Sequence, residues 1–404
     1  MPAISYWESQ TFIGRPDVVI VGAGFVGLRT ALSIRAREKI SGERPRDIMV
    51  IDRHSFGLGA STRNAGFACF GSPTEILADL EHGDEAAVWD TIERRYKGVE
   101  RLREELSNAD HWKLQGGYEV FLDKGKYEWV MDQLPRLNRR LSERLGKGAR
   151  WLPSKTPEGL KSELPVLYNA AEAKLQPAEL LKYLQEKCRT QGIRLVYGCE
   201  VKAMNGQVGE MQIETVPLGI IECDLVLVAT NAFSNQLGLD LDLKPQRNMV
   251  LLTEPIPGLE LPGTYHHHEG YVYFRTVEST EGPRVLIGGA RHLDEEAETM
   301  EFEVVRPSRH SCSQQSHGIS SFEKRLDLRK SLKSYLLEFL STPKQDVQIT
   351  HLWTGILAQG SNKIPIIKRL QSGLFVAVRL AGMGVAMSGE VADTAAELLL
   401  EEVG

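Results

Sequence analysis

No stretch of this chain approaches 18 consecutive apolar residues, which excludes an ordinary membrane-spanning helix. A basic excess is missing too: 48 Lys and Arg stand against 54 Asp and Glu, a formal charge of −6. With no long Lys/Arg block to supply one locally, there is no electrostatic footprint for nucleic acid. Cysteine is sparse and scattered, at 69, 188, 199, 223 and 312. An odd count without Cys-x-x-Cys spacing supports neither a disulfide framework nor structural zinc, and no metal site is expected. The opening Met-Pro-Ala-Ile-Ser-Tyr-Trp-Glu lacks a basic segment leading into an apolar run. No secretory leader is therefore expected, the cytoplasm is the expected compartment, and peripheral contact with a membrane surface is not excluded. What is present is 404 residues, 42% hydrophobic and 25% charged, enough for two packed domains with sizeable cores.

The most specific local signal is Val18-Val-Ile-Val21 followed by a Gly22-x-Gly24-x-x-Gly27 turn and a helical pattern. Strand, glycine turn and helix in that order form a dinucleotide-binding fingerprint. The first glycine permits the turn, the second admits a pyrophosphate, and the third lets helix and strand pack closely. A second apolar strand, Asp47-Ile-Met-Val-Ile-Asp52, ends in a carboxylate 25 residues after Gly27. Asp52 suits an adenosine ribose hydroxyl, and its charge disfavours a 2′-phosphate.

Downstream, Phe56-Gly-Leu-Gly-Ala-Ser-Thr-Arg-Asn-Ala-Gly-Phe67 is glycine-rich and can run close to a ligand. Apolar spacing predicts helices over about 73–106, 126–145 and 177–188. A strand over 224–230 ends in the polar turn Asn231-Ala-Phe-Ser234, and crevices in parallel sheets form at such ends. Short strands at 248–253, 270–275 and 284–288 read as an antiparallel or mixed sheet offering one wall to a ligand. A polar interval over 306–321 precedes a helix near 328–340. The chain then returns to strand (374–378), glycine turn (379–384) and helix (385–400). The expected architecture is α/β: a discontinuous Rossmann-like nucleotide domain (1–72, 175–240, 345–404) and a helical and mixed-sheet substrate domain (73–174, 241–344).

Four motifs together, in this order, resemble the FAD-dependent amine and amino-acid oxidoreductases of the D-amino-acid oxidase superfamily. They are Val-Ile-Val-Gly-Ala-Gly-Phe-Val-Gly at 19–27, Gly-Leu-Gly-Ala-Ser-Thr-Arg-Asn-Ala-Gly at 57–66, and Leu-Val-Ala-Thr-Asn-Ala at 227–232. The fourth is the set Trp353-Thr-Gly355, Ile364-Pro-Ile366 and Gly382-Met-Gly-Val-Ala-Met-Ser-Gly389. Asn231, where many relatives have glycine, looks most like the γ-glutamylputrescine oxidoreductase branch. The resemblance implies FAD held at Gly22, Gly24, Phe25, Val26 and Gly27, with Asp52 and Arg53 beside the adenosine. It places Ala60, Ser61, Arg63, Asn64 and Ala65 along the pyrophosphate and ribityl chain, and Val201 at the adenine. Ala229, Thr230, Asn231, Gly355, Gly382, Met383, Gly384 and Val385 complete the implied set. No cysteine matches a covalent flavin anchor, so FAD is expected to be noncovalent. Leu357 stands where amino-acid oxidases of the superfamily carry a carboxylate-binding arginine, which makes a simple α-amino acid a less natural substrate.

The activity implied is oxidation of a C–N bond in a primary or secondary amine, by hydride transfer from Cα to flavin N5 and hydrolysis of the imine. Alternatives are an amino- or imino-acid oxidase or dehydrogenase and a non-catalytic flavin protein. The electron acceptor is oxygen, a quinone or another carrier. Tyr271, Tyr273 and Arg275 alternate and share one side of a strand. The tyrosines are candidates for the pocket wall, and Arg275 for an anionic substrate group. Lys363 is a candidate cation beside reduced flavin. Of His266, His267 and His268, one is a candidate to reach the pocket.

Overall fold

In the computed structural model, residues 4–293, 299 and 320–402 are described. The polar interval near 306–321 and Cys312 therefore fall almost wholly outside the described residues. Val18–Val21 is buried at every position, as a strand covered on both faces must be. It sits within a six-stranded sheet ordered Ile366–Gln371, Leu374–Val378, Leu225–Val228, Val18–Val21, Ile48–Asp52, Arg194–Tyr197. All neighbours pair in parallel except the first two. The helix Phe25–Ser41 runs back from the glycine turn and stops at Gly42 in the left-handed region (φ 73°). An antiparallel three-stranded ribbon, Glu200–Asn205, Met211–Val216 and Gly219–Cys223, covers one side of this sheet.

The second layer is an eight-stranded sheet running Ile349–Gln359, Lys244–Thr253, Arg284–Gly289, Val272–Val277, Thr264–His267, Gly117–Val120, Val166–Asn169, Leu152–Ser154. Ile349–Gln359, grouped by sequence with the nucleotide-binding segments, pairs along its length with Lys244–Thr253 in this sheet. Its adjacency in the chain to the closing Rossmann strands concealed that. The described part of the Ser320–Phe339 helix lays Leu328, Leu332, Leu336 and Phe339 on the sheet's core, with the i, i+4 repeat that a buried helical stripe requires. No helix among the described residues is long and apolar enough to cross a membrane.

The helix Glu85–Glu105 crosses the C-terminal helix Gly384–Glu401 at Gly98. A methyl there would lie 1.7 Å from the Ala386 carbonyl oxygen, so one helix must move. Because the obstacle is backbone, Gly98→Ala should cost more than the about 1–3 kcal/mol of side-chain overpacking and weaken FAD retention, as the displaced helix start lines the cavity described below. Urea unfolding and FAD titration check both effects. Gly148→Ala, whose methyl has only an ordinary 3.5 Å neighbour, serves as the control.

Candidate active site

Both helix N-termini that follow a glycine turn open onto one cavity of about 1290 Å³. That exceeds the roughly 300–1,000 Å³ of ordinary small-molecule pockets and has room for an extended dinucleotide together with a substrate. Neither helix start is capped by its own N-cap side chain. Apart from the Phe25 amide, the first-turn amides at Val26, Gly384 and Val385 have no partner among the described residues, and with the helix dipoles they favour phosphate or an electron-rich ring edge. At one end the Asp52 carboxylate accepts from the amides of Ala23 (2.9 Å) and His54 (2.8 Å), which fixes its rotamer. Each oxygen keeps lone-pair capacity for a ligand hydroxyl. Ser61 Oγ accepts from the Phe25 amide at 3.0 Å and ties the second glycine-rich segment onto the first. The Arg53 guanidinium lies 4.3 Å from the Phe233 ring.

Opposite, the turn after Leu374–Val378 holds Arg379 (φ 64°), Ala381 (φ 47°) and Gly382 (φ 85°) in the left-handed region. That strain is sustained by fixed partners. Asn231, itself at φ 50°, accepts from the Arg379 amide at 3.1 Å. The Arg379 side chain is spent on Asp242 Oδ2 (2.5 Å), Ile364 O (2.7 Å) and Asn362 Oδ1 (2.9 Å). Gly382 has open space where a Cβ would stand. Uncapped helix starts, a fixed carboxylate and an open glycine turn on one cavity fit FAD in extended form.

Nearly every cofactor residue read from the sequence lines this cavity: Gly22, Gly24, Phe25, Val26, Asp52, Arg53, Ala60, Ser61, Arg63, Asn64, Ala65, Val201, Ala229, Thr230, Asn231, Gly355, Gly382, Met383, Gly384 and Val385. Gly27 stands apart from the lining and packs helix on turn: a Cβ there would meet Gly22 O at 1.9 Å. Tyr271, Tyr273 and Lys363 also line the cavity.

Arg275 does not. It is 7% exposed, and its guanidinium donates to the carbonyls of Ala65 (2.5 Å), Leu175 (2.9 Å) and Thr276 (3.2 Å). Burial lowers it to about 10. Tyr273 and Arg275 do alternate on the strand Val272–Val277, whereas Tyr271 belongs to the turn before it, and the Ala65–Phe67 backbone lies between Arg275 and the cavity. The arginine braces that backbone and is out of a substrate's reach. Lys363 is not a free cation either, since its Nζ donates to Glu75 Oε1 (2.9 Å) and contacts Asp79 Oδ1 (2.8 Å). Burial opposes its ammonium, yet these carboxylates outweigh that and raise it above the ordinary lysine value.

Several cavity residues had no local signal in the sequence. Arg291 stacks its guanidinium 4.8 Å from the Tyr271 ring centre and has no carboxylate partner among the described residues. Asn248 Nδ2 donates to the Tyr273 hydroxyl at 2.8 Å while its Oδ1 is unpartnered. Burial pushes the Tyr273 hydroxyl to about 12, so it stays protonated. Gly288 gives this ring its place, as a Cβ would meet it at 2.6 Å. Glu75, Cys69 and Glu269 are further wall residues.

Behind that wall lies a buried polar group. His266, the one member of the histidine run that reaches the cavity, bonds Glu172 Oε2 through Nε2 at 2.8 Å. Burial disfavours its charged form, but Glu172 outweighs this and raises His266 above its usual value. Cys69, Glu172 and His266 present atoms within 4.8 Å of one another, two of them already joined by that hydrogen bond. Glu119 accepts from Ser72 Oγ (2.9 Å), the Thr74 amide (3.1 Å) and the Thr74 hydroxyl, and burial raises it to about 7.

Residues 17–398 match the family described as FAD dependent oxidoreductase (DAO). The chain is 22% identical over 410 residues to a probable oxidoreductase OrdL of Haemophilus influenzae, covering 96% of this chain and 84% of that protein. Its fold is similar to that of L-amino acid deaminase from Proteus vulgaris, with a TM-score of 0.71 and 18% identity over 96% of this chain and 94% of the other. L-proline dehydrogenase from P. horikoshii is similar at TM-score 0.67 and 19% identity, over 96% and 94% of the two chains. The chain belongs to the FAD dependent oxidoreductase (DAO) family, with FAD as its noncovalent cofactor.

Proposed function

We propose that this protein oxidises the C–N bond of an amino or imino acid, with Arg291 holding the substrate carboxylate. The observation that carries this reading is the Arg291 guanidinium, lying over Tyr271 at the wall of the cavity with no carboxylate of its own among the described residues. Arginine's planar fork suits a carboxylate, and Arg291 thus takes the part that sequence alternation gave to Arg275. Support comes also from the solved relatives, whose names include an L-amino acid deaminase, an L-proline dehydrogenase and an iminodiacetate oxidase.

In this reading the helix start at Gly24–Val26 and Ser61 hold the pyrophosphate, Asp52 the adenosine ribose, and Gly382–Val385 the electron-rich edge of the ring. Bound FAD supplies a two-electron acceptor. Tyr271 and Tyr273 wall the reacting carbon and keep water out, and Asn248 fixes the Tyr273 hydroxyl so that it donates toward the substrate. No strong base is required, because the ammonium proton is lost to solvent on binding and the Cα hydrogen would then leave with its electron pair.

Arg291→Ala should raise KM for carboxylate-bearing substrates about tenfold to a hundredfold with a smaller fall in kcat, as loss of a charged hydrogen bond predicts. An unchanged KM for every active acid would remove Arg291 from the site. A second reading, an amine without a carboxylate such as the γ-glutamylputrescine branch suggests by its reacting end, is favoured by Leu357 on the cavity wall. Anaerobic bleaching of the flavin by an amine and amino-acid panel separates the two. Fast recovery of colour in air assigns oxygen as acceptor; recovery only with quinone assigns a carrier.

A further inference from the structure

Glu75 is the third residue of the helix Pro73–His82, 8% exposed and on the cavity wall. Its two oxygens are used differently. Oε1 receives both Arg95 Nη1 (3.1 Å) and Lys363 Nζ (2.9 Å). Oε2 has no hydrogen-bond partner among the described residues and faces Gly270, where an added Cβ would lie 3.4 Å away. Gly270 is itself at φ 77° in the turn beside Glu269 and Tyr271, so a side chain is excluded from the space in front of that oxygen by conformation as well. That oxygen opens onto the cavity and keeps its full acceptor capacity for a donor seated there.

The donor that suits it is cationic, and it is not the nitrogen being oxidised. Burial works against the Glu75 carboxylate, but Lys363 and Arg95 hold it down to about 2. A carboxylate held in that form remains an acceptor near neutral pH, and a charged N–H donor bonds it more strongly than a neutral one. Oxidation of a C–N bond needs the opposite, a neutral nitrogen with its lone pair free. A nitrogen seated on Glu75 Oε2 is thereby kept out of the reaction and serves as a handle.

We propose that Glu75 Oε2 is the subsite for a second nitrogen of the substrate, one that stays protonated as ammonium. The inference rests on the reading of the cavity as a C–N oxidising site. Arg291 over Tyr271 and Glu75 before Gly270 flank two consecutive residues of one turn, giving the substrate end an anion site and a cation site. The substrate class is a carboxylate-bearing molecule with two nitrogen centres, one oxidised and one retained as ammonium, as in diamino acids and their N-substituted derivatives.

The test uses the FAD-loaded protein and matched pairs that differ only in the tail: lysine against norleucine and ornithine against norvaline, in both enantiomers and as N-methyl derivatives. The saturation constant for anaerobic flavin bleaching is read for each. The cationic member should bind about ten- to hundredfold tighter, the worth of one charged hydrogen bond in a buried site. In Glu75→Gln that ratio should collapse to near one. Equal or tighter binding of the neutral tails overturns the subsite while leaving the oxidation reading intact, as does a ratio that survives Glu75→Gln. If no member of any pair bleaches the flavin, both fail together. Should the variant not fold, the paired substrates on the unaltered protein decide the matter.

Discussion

Gly27→Ala is expected to yield protein that neither retains FAD nor unfolds cooperatively. The added methyl would lie 1.9 Å from Gly22 O and 3.2 Å from both Gly22 C and Ile20 Cγ2. The closest obstacle is backbone, at the turn that shapes the pyrophosphate end of the cavity, so no side chain can swing aside. The helix must lift from the strand, and with it the buried Leu28, Ala31 and Ile34 leave their places in the largest core cluster. Overpacking among side chains costs about 1–3 kcal/mol, and a clash with backbone belongs above that range. Denaturant unfolding and the flavin absorbance of purified protein check the result. Native-like melting with bound flavin would show that the helix does not bear on this turn.

Raising the pH from 5 to 8 should lower unfolding stability, and Glu119→Gln should abolish much of that fall. Glu119 is carried by burial from an ordinary 4.5 to about 7. A carboxyl raised in the folded state contributes stability fully below its unfolded value, and that contribution is lost as pH climbs through 7. The difference amounts to about 3 kcal/mol, at roughly 1.4 kcal/mol per pH unit. His266, also raised, adds to the same decline at higher pH, because its imidazolium partnership with Glu172 is lost as it deprotonates. Glu75 works in the other direction: held at about 2, it stabilises above 4.5 and loses that contribution as pH falls toward 2. The stability maximum is therefore expected near pH 5. In Glu119→Gln the amide oxygen can still accept from the Thr74 amide while its NH2 donates to the Ser72 and Thr74 hydroxyls, which can turn to accept. The variant should be the more stable protein at pH 8 and close to the parent at pH 5. Parallel pH slopes for the two proteins would contradict this.

The nucleotide half was legible because its signals are local. Strand, turn and helix around Gly22–Gly27 fall within one short run, and Asp52 closes the next strand. The substrate half depends on distant segments meeting. Tyr273 and Arg275 do share a strand face, as alternation requires, yet what covers that face is decided by the Ala65–Phe67 segment some 210 residues away. Lys363 meets Glu75 across 288 positions, and Arg291 gains its stacking partner Tyr271 only when the intervening hairpin forms. Charge type could be read from the chain at those positions; pairing could not. Ile349–Gln359 shows the same limit at the level of elements, since its partner Lys244–Thr253 is a hundred residues upstream.

Leu374–Val378 occupies an interior position of the nucleotide-binding sheet, beside Leu225–Val228, although it follows the other five strands of that sheet in the chain. During synthesis residues 18–228 can assemble four neighbouring strands, but the Leu225–Val228 edge stays unpaired until Leu374–Val378 has been translated. An apolar edge waiting that long is a site for wrong strand partners and a natural hold for chaperones. The flavin grip is completed only by the glycine turn and helix that follow that strand. Expression yield should therefore depend more on residues 374–401, and on FAD supply as they emerge, than on the fingerprint at 18–27.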